Sequence, residues 1–235
     1  EAIGNFNVNE LRLEGGDGND VLIGARSRNL ISGGPGDDIL SGGDDSDVLH
    51  GHEGDDSLYG GGHNDALYGD QGHDRIYGEL GADNAYGGEG NDLIQAGGGL
   101  LGDVIYGEGG NDRLLGGDGV DVIFGGSGRD LISGGALGDL LSGDEDGDMI
   151  IGGTGRDFLL GGEGNDRLYA SMMVTLSDTN KSAPDWYAAY VELLNRENRI
   201  IEVEVPEVES RIAEKQQLVD DLQGDPASER RWRKA

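Results

Sequence analysis

The chain has 235 residues, 47 of them glycine and none cysteine, and sets 47 acidic side chains against 17 basic ones for a net charge of -30. Such a charge argues against a nucleic-acid partner, whose phosphates would be repelled, and the missing cysteines exclude a disulfide framework. No apolar run approaches the ~20 residues that a membrane span requires.

Residues 1–14 do not form a full repeat, yet Leu13 lies nine residues before Leu22; Phe6, Val8, Leu11 and Leu13 read as an N-terminal capping strand over the first open coil. From Gly15 to Tyr169 the chain divides into 17 units, all of nine residues except the eleven-residue Ala96–Tyr106. GGPGDDILS (33–41) and GGEGNDRLY (161–169) are examples. Position 1 is Gly in 16 units, position 6 is Asp in 16 and position 8 is Leu or Ile in 16; the exceptions are Ala96, Asn29 and Ala85.

Each unit has two physical parts. Its first six residues are rich in glycine, which turns through positive φ at little steric cost. Its last three form a short strand whose central aliphatic side chain faces opposite to its neighbours. With two units per coil, position 8 residues meet between two sheets, and unit i stacks on unit i+2 about 4.8 Å away. Eight and a half such coils make a rod roughly 40 Å long.

Stacking aligns the position 6 aspartates in two columns. Carboxylates ~5 Å apart repel by about 3 kcal/mol per pair at an effective dielectric near 20. One inward aliphatic per unit is a thin core to set against that repulsion. A hard divalent cation between turns reverses its sign. An all-oxygen shell of aspartates and glycine-loop carbonyls suits calcium better than magnesium, which keeps its own waters. With no Cys and four scattered His, a softer metal in every turn is disfavoured.

The pattern GGxGxDxUx, with U aliphatic, resembles the nonapeptide of the repeats-in-toxin (RTX), or hemolysin-type calcium-binding, family; it covers 155 of the 235 residues. The resemblance implies an all-β fold, a parallel β-roll or right-handed two-sheet solenoid, that orders when Ca2+ ions bind between its turns. It also implies type I export from a bacterium and a secreted or cell-surface location. The implied carboxylate ligands are Asp20, Asp38, Asp47, Asp56, Asp65, Asp74, Asp83, Asp92, Asp103, Asp112, Asp121, Asp130, Asp139, Asp148, Asp157 and Asp166. Loop carbonyls at positions 1 and 3 of one turn and 2 and 4 of the next are implied to complete the shell.

Departures from the pattern carry their own expectations. Asn29 removes a carboxylate, Leu137 and His63 strain position 4, Ala85 thins the core and the insert at 97–102 bulges. Weaker calcium sites are expected at those turns and strong ones at 152–166, where both pattern and stacking are regular. In GARSRNLIS (24–32), Arg26 or Arg28 either stands in for a terminal calcium beside Asp44, Asp45 and Asp47 or points to solvent. His50, His52, His63 and His73 fall within 24 residues, with His52 and His73 on stacking units of one edge. They read either as solvated loop residues or as a transition-metal or pH-sensing group. Position 9 places Tyr59 and Tyr77 on one face and Tyr68, Tyr86 and Tyr106 on the other, as cross-strand packing or a polysaccharide-binding ladder.

Nothing points to catalysis. There is no Gly-Lys pair for a P-loop and no GxSxG, and the lone GxGxxG match at Gly97 lies in the eleven-residue unit with no helix signature following. Residues 170–235 read as a C-terminal cap followed by a helical tail. MMVTL (172–176) suits a strand, Ser182 and Pro184 a helix start, and residues 182–223 a heptad seam with Asn198 and Lys215 within it, broken at Pro206. Self-association or partner binding is expected of that segment. The expectation for the whole is a calcium-binding, calcium-dependent β-roll module of an exported bacterial protein, structural or adhesive and not an enzyme. The alternative is the accessory repeat region of a secreted enzyme or toxin: a protease, lipase, epimerase or pore-former.

Overall fold

The computed structural model describes residues 10–99 and 101–170; Phe6 and Val8 of the expected cap, the 172–176 strand and the 182–223 heptad segment lie outside them. Within these residues there is no helix. Eighteen strands form two nine-stranded sheets, every neighbouring pair parallel, with odd strands in the first sheet and even strands in the second. The first sheet runs from Leu11–Glu14 to Phe158–Gly162 and the second from Val21–Ile23 to Arg167–Tyr169.

The register steps by two units, as the period requires. Ile31 pairs with Leu49, Leu49 with Leu67, and Ile105 with Ile123. Position 8 side chains from both sheets thus fill one buried layer from Ile31 to Ile150, and Leu13, Leu22 and Leu159 pack partly buried at its ends. Ala85 is buried in that layer between the register partners Leu67 and Ile105. Leu11–Glu14 joins the first sheet as a rung, Leu13 opposite Ile31, continuing the ladder in phase.

The expected three-residue strands prove too short. Most strands have six residues and run from position 7 into position 3 of the next unit, as in Val48–Glu53. The reason is that stacked coils also bring the backbones of positions 2 and 3 into register, Gly34 opposite His52 and Pro35 opposite Glu53. The true turn is confined to positions 4–6. The two extra residues of Ala96–Tyr106 are absorbed between Gly98 and Asp103, where Leu101 is exposed, and the ladder resumes at Val104–Gly109.

The left-handed backbone expected at His63 and Leu137 is present, with φ of 77° and 75°. It recurs at Asp45 and Asp146 in position 4, and at His52, Asp70, Glu79, Glu108 and Asp144 in position 2. Position 1 glycines obey a different rule. A methyl on Gly60 would lie 2.5 Å from Asp65 Oδ2 and 2.8 Å from the Gly78 carbonyl, so this glycine is needed for close approach.

Candidate metal centre

The position 6 aspartates are brought together as two continuous columns. Each backbone N–H donates to Oδ1 of the aspartate two units on: Asp38 to Asp56, Asp56 to Asp74, Asp74 to Asp92, at 2.7–2.8 Å. The series runs unbroken from Asp20–Asp38 to Asp148–Asp166 in one column and from Asn29–Asp47 to Asp139–Asp157 in the other, including Asp92–Asp112 and Asp83–Asp103 across the long unit. One oxygen of each carboxylate from Asp38 to Asp166 thereby fastens the coil beneath it, a structural role that the repeat pattern did not reveal.

The other oxygen has no such partner. Oδ2 of fourteen of the sixteen aspartates, all but Asp103 and Asp166, is buried without a hydrogen bond. It faces further acceptors: the same point beside Gly87 lies 2.5 Å from Asp92 Oδ2 and 2.7 Å from the Gly107 carbonyl. Asp38, Asp56, Asp74, Asp112 and Asp130 are each at most 3% exposed. An anionic oxygen buried against carbonyls is costly unless a cation joins them. The donor set is all oxygen, so the residues fit calcium.

The carboxyls register the same tension. Burial first, and neighbouring aspartates second, push Asp112 up to about 8 and Asp56, Asp65, Asp74 and Asp130 up to about 7. Asp92, Asp103, Asp121, Asp139 and Asp148 rise to about 6 for the same leading cause, against the ordinary 3.8. Asp47 and Asp83 are also raised by burial. The N–H bond at Oδ1 pulls each back, but not far enough.

One expectation needs correction and another is narrowed. The stacking expected to be regular at 152–166 is looser than that of the interior. Asp157 and Asp166 are only half-buried, and their ladder bonds, 3.2 and 3.0 Å, are longer than those of the interior. Among the described residues no further coil covers them, and the interior rungs from Asp38 to Asp130 are better formed. Of the two readings of the arginines, the structure shows Arg26 against one of the named carboxylates, Asp44, but at the surface rather than in the aspartate column. Arg26 Nε pairs at 3.3 Å with Asp44 Oδ2 on the surface, the side chains 92% and 68% exposed, and such pairs contribute little.

The buried donor in that rung is Asn29. Its Nδ2 donates to Asp47 Oδ1 at 2.8 Å and to the Ala25 and Gly42 carbonyls at 3.1 Å, while its Oδ1 accepts from the Ala25 N–H. Replacing one oxygen by NH2 converts an acceptor-against-acceptor cradle into a satisfied one.

A second ladder also escaped the sequence reading. Position 5 side chains accept from the position 5 N–H of the next coil: Asn19 from Asp37, Asp37 from Asp55, Asp55 from His73, His73 Nδ1 from Asn91. The signal was present as Asn or Asp recurring at position 5. The aromatic rows stack as their spacing requires, Tyr59 on Tyr77 at 5.0 Å between ring centres and Tyr68 on Tyr86 at 4.8 Å.

A family model for the RTX calcium-binding nonapeptide repeat (4 copies) matches residues 14–49, 41–76, 77–100, 98–132, 106–141 and 142–171. None of the curated proteins matches the chain. With the matches spanning well over half of the sequence, the chain belongs to the RTX calcium-binding nonapeptide repeat family.

Proposed function

We propose that this chain is a calcium-responsive folding module of an exported bacterial protein, a structural or adhesive element at or beyond the cell surface with no catalysis of its own. One observation carries the reading: fourteen carboxylate oxygens buried with no hydrogen bond, arranged along two columns. Bound calcium supplies the positive charge that these oxygens and the adjoining carbonyls need. Because the columns exist only in the stacked form, binding adds its free energy to folding alone. The protein's own groups do the rest. Oδ1 holds the rung spacing, position 1 glycine lets Oδ2 meet the neighbouring carbonyl, and position 8 closes the apolar layer. A chain with this design is loose where calcium is scarce and ordered where it is abundant, which suits passage through a secretion channel before folding outside.

The test is circular dichroism of the whole chain during a calcium titration from chelator. Strand signal is expected to appear cooperatively with calcium, with magnesium a poor substitute. Full strand signal in chelator overturns the folding-switch reading.

A further inference from the structure

One cluster on the roll belongs to neither aspartate column. His50 and His52 lie on the same strand, Val48–Glu53, with ring centres 5.7 Å apart and planes 19° from parallel. Asp70 is the register partner of His52 on the next strand of the first sheet. Its Oδ2 stands 3.7 Å from Nδ1 of His50 and 3.7 Å from Nδ1 of His52. That is too long for a hydrogen bond but within ion-pair reach, so one carboxylate oxygen stands equally close to two ring nitrogens. The three line an open cleft of about 670 Å³ together with Ser32 and Glu53, and remain partly exposed.

Three further features fix the arrangement. Ser32 Oγ lies 2.8 Å from His52 Nε2. In the tautomer with the proton on Nε2, the hydroxyl accepts it and Nδ1 keeps its lone pair towards Asp70. This is the outer-shell bond that orients a metal-ligating histidine. The His50 ring stacks on Tyr68 at 4.5 Å with planes 5° apart, which holds its orientation. His52 and Asp70 also occupy position 2 at φ of 84° and 74°, where Gly34, Gly43 and Gly88 stand in other units. Left-handed backbone costs a side-chain-bearing residue on the order of 1–2 kcal/mol, so two adjacent rungs both bear a strain that glycine would remove.

We propose that His50, His52 and Asp70 form a binding site for a divalent transition-metal ion on the outer face of the first sheet. Imidazole nitrogens select zinc and its neighbours over calcium. Two ligands of a tetrahedral zinc with bonds of 2.0–2.1 Å lie about 3.3 Å apart. As they stand, no three His, Asp or Glu side chains among the described residues, these included, are placed to hold a metal ion, so the site forms only when the metal draws its ligands in. Against the carboxylate each nitrogen is only a few tenths of an ångström beyond that spacing; the two rings, with centres 5.7 Å apart, must turn their Nδ1 atoms towards each other, and water completes the open shell. The roll then takes two kinds of cation: calcium within its columns and a nitrogen-seeking metal on its face.

The experiment is a zinc titration of the untagged, full-length chain in excess calcium, followed by calorimetry and, with cobalt(II), by visible absorption. Excess calcium saturates the carboxylate columns, so one equivalent of zinc is expected to remain bindable, with cobalt bands showing nitrogen ligation. His50→Gln and His52→Gly are each expected to weaken zinc at least tenfold, and Ser32→Ala about tenfold, with the calcium-induced strand signal intact. Should His52→Gly fail to fold, Asp70→Gly makes the same test, since glycine is the usual residue there. His63→Gly and His73→Asn are expected to bind zinc as the parent does. The site is refuted by no stoichiometric zinc binding in calcium, or by binding that survives the His50 and His52 changes together.

Discussion

Asn29 Nδ2 reaches Asp47 Oδ1 at 2.8 Å in the place where fourteen other rungs leave an aspartate Oδ2 buried without a hydrogen bond. This rung is complete without a cation. Asn29→Asp is expected to add one calcium equivalent and to increase the calcium needed to order the first coils. Asn29→Ala removes the Nδ2 donor from the Ala25 and Gly42 carbonyls while the residue 29 N–H still holds Asp47 Oδ1, for a loss of about 1–3 kcal/mol. Equilibrium dialysis counts the ions and thermal melting in saturating calcium reads the loss. An unchanged ion count in the Asp variant contradicts the idea.

The converse change belongs in the interior. Asp112 is the carboxyl pushed highest, to about 8, by burial and by Asp92 and Asp130. Asp112→Asn is expected to lose one calcium and to lower the calcium concentration at the folding midpoint, because its amide reproduces the Asn29 arrangement. Asp112→Ala also loses the bond from the Asp92 N–H and is expected to raise that midpoint. Opposite shifts of the two variants, read by circular dichroism, are the signature; equal shifts count against it.

Acid and calcium act on the same oxygens. With Asp112 near 8 and Asp56, Asp65, Asp74 and Asp130 near 7 in the folded roll, against 3.8 ordinarily, the folded form holds more protons than the unfolded chain between those values. Their contribution to the metal-free roll is therefore fully present below about pH 4 and lost as pH rises through about 6 to 8. In chelator, strand signal should grow as pH falls from 8 towards 5. In calcium, acidification should raise the folding midpoint, since protons compete for Oδ2. Flat strand signal in chelator across that interval is the contrary result.

Position 1 gives a steric prediction. Gly60→Ala forces a methyl against Asp65 Oδ2 and the Gly78 carbonyl, at 2.5 and 2.8 Å. The cost in calcium is expected to be about 1–3 kcal/mol, typical of overpacking. Gly98→Ala meets nothing nearer than Asp118 Oδ2 at 3.9 Å and should stay within about 0.5 kcal/mol. Paired denaturant melts at saturating calcium compare the two directly.

The period made most of the architecture readable. Aliphatic position 8 and aspartate position 6 recur because each coil meets an equivalent coil, so one spacing determines sheets, core and columns together. What stayed hidden depends on single atoms or on neighbours beyond the repeat. Asn29 looked like a lost ligand because a sequence does not show that its NH2 points at the Gly42 carbonyl. Arg26 drew attention by its charge, yet its guanidinium stays at the surface with Asp44. The regular spelling of 152–166 concealed an end effect, since burial of Asp157 and Asp166 depends on what stacks above them. Position 1 glycine was legible as glycine but not for its reason, which is room beside Oδ2.

Alternation between the sheets gives the chain a parity. His50, Tyr68, Tyr86, Tyr106 and Phe124 form one unbroken column of stacked rings because they sit in every second unit. Duplicating or deleting one unit would transfer everything downstream to the opposite face and cut that column in two. Changes by pairs of units would leave it whole. The two extra residues of Ala96–Tyr106, taken up inside one loop, change chain length without changing parity, and Tyr86 still meets Tyr106 at 5.1 Å. A roll of this kind can therefore vary freely in its loops, while its length can grow or shrink without scrambling its faces only in even steps.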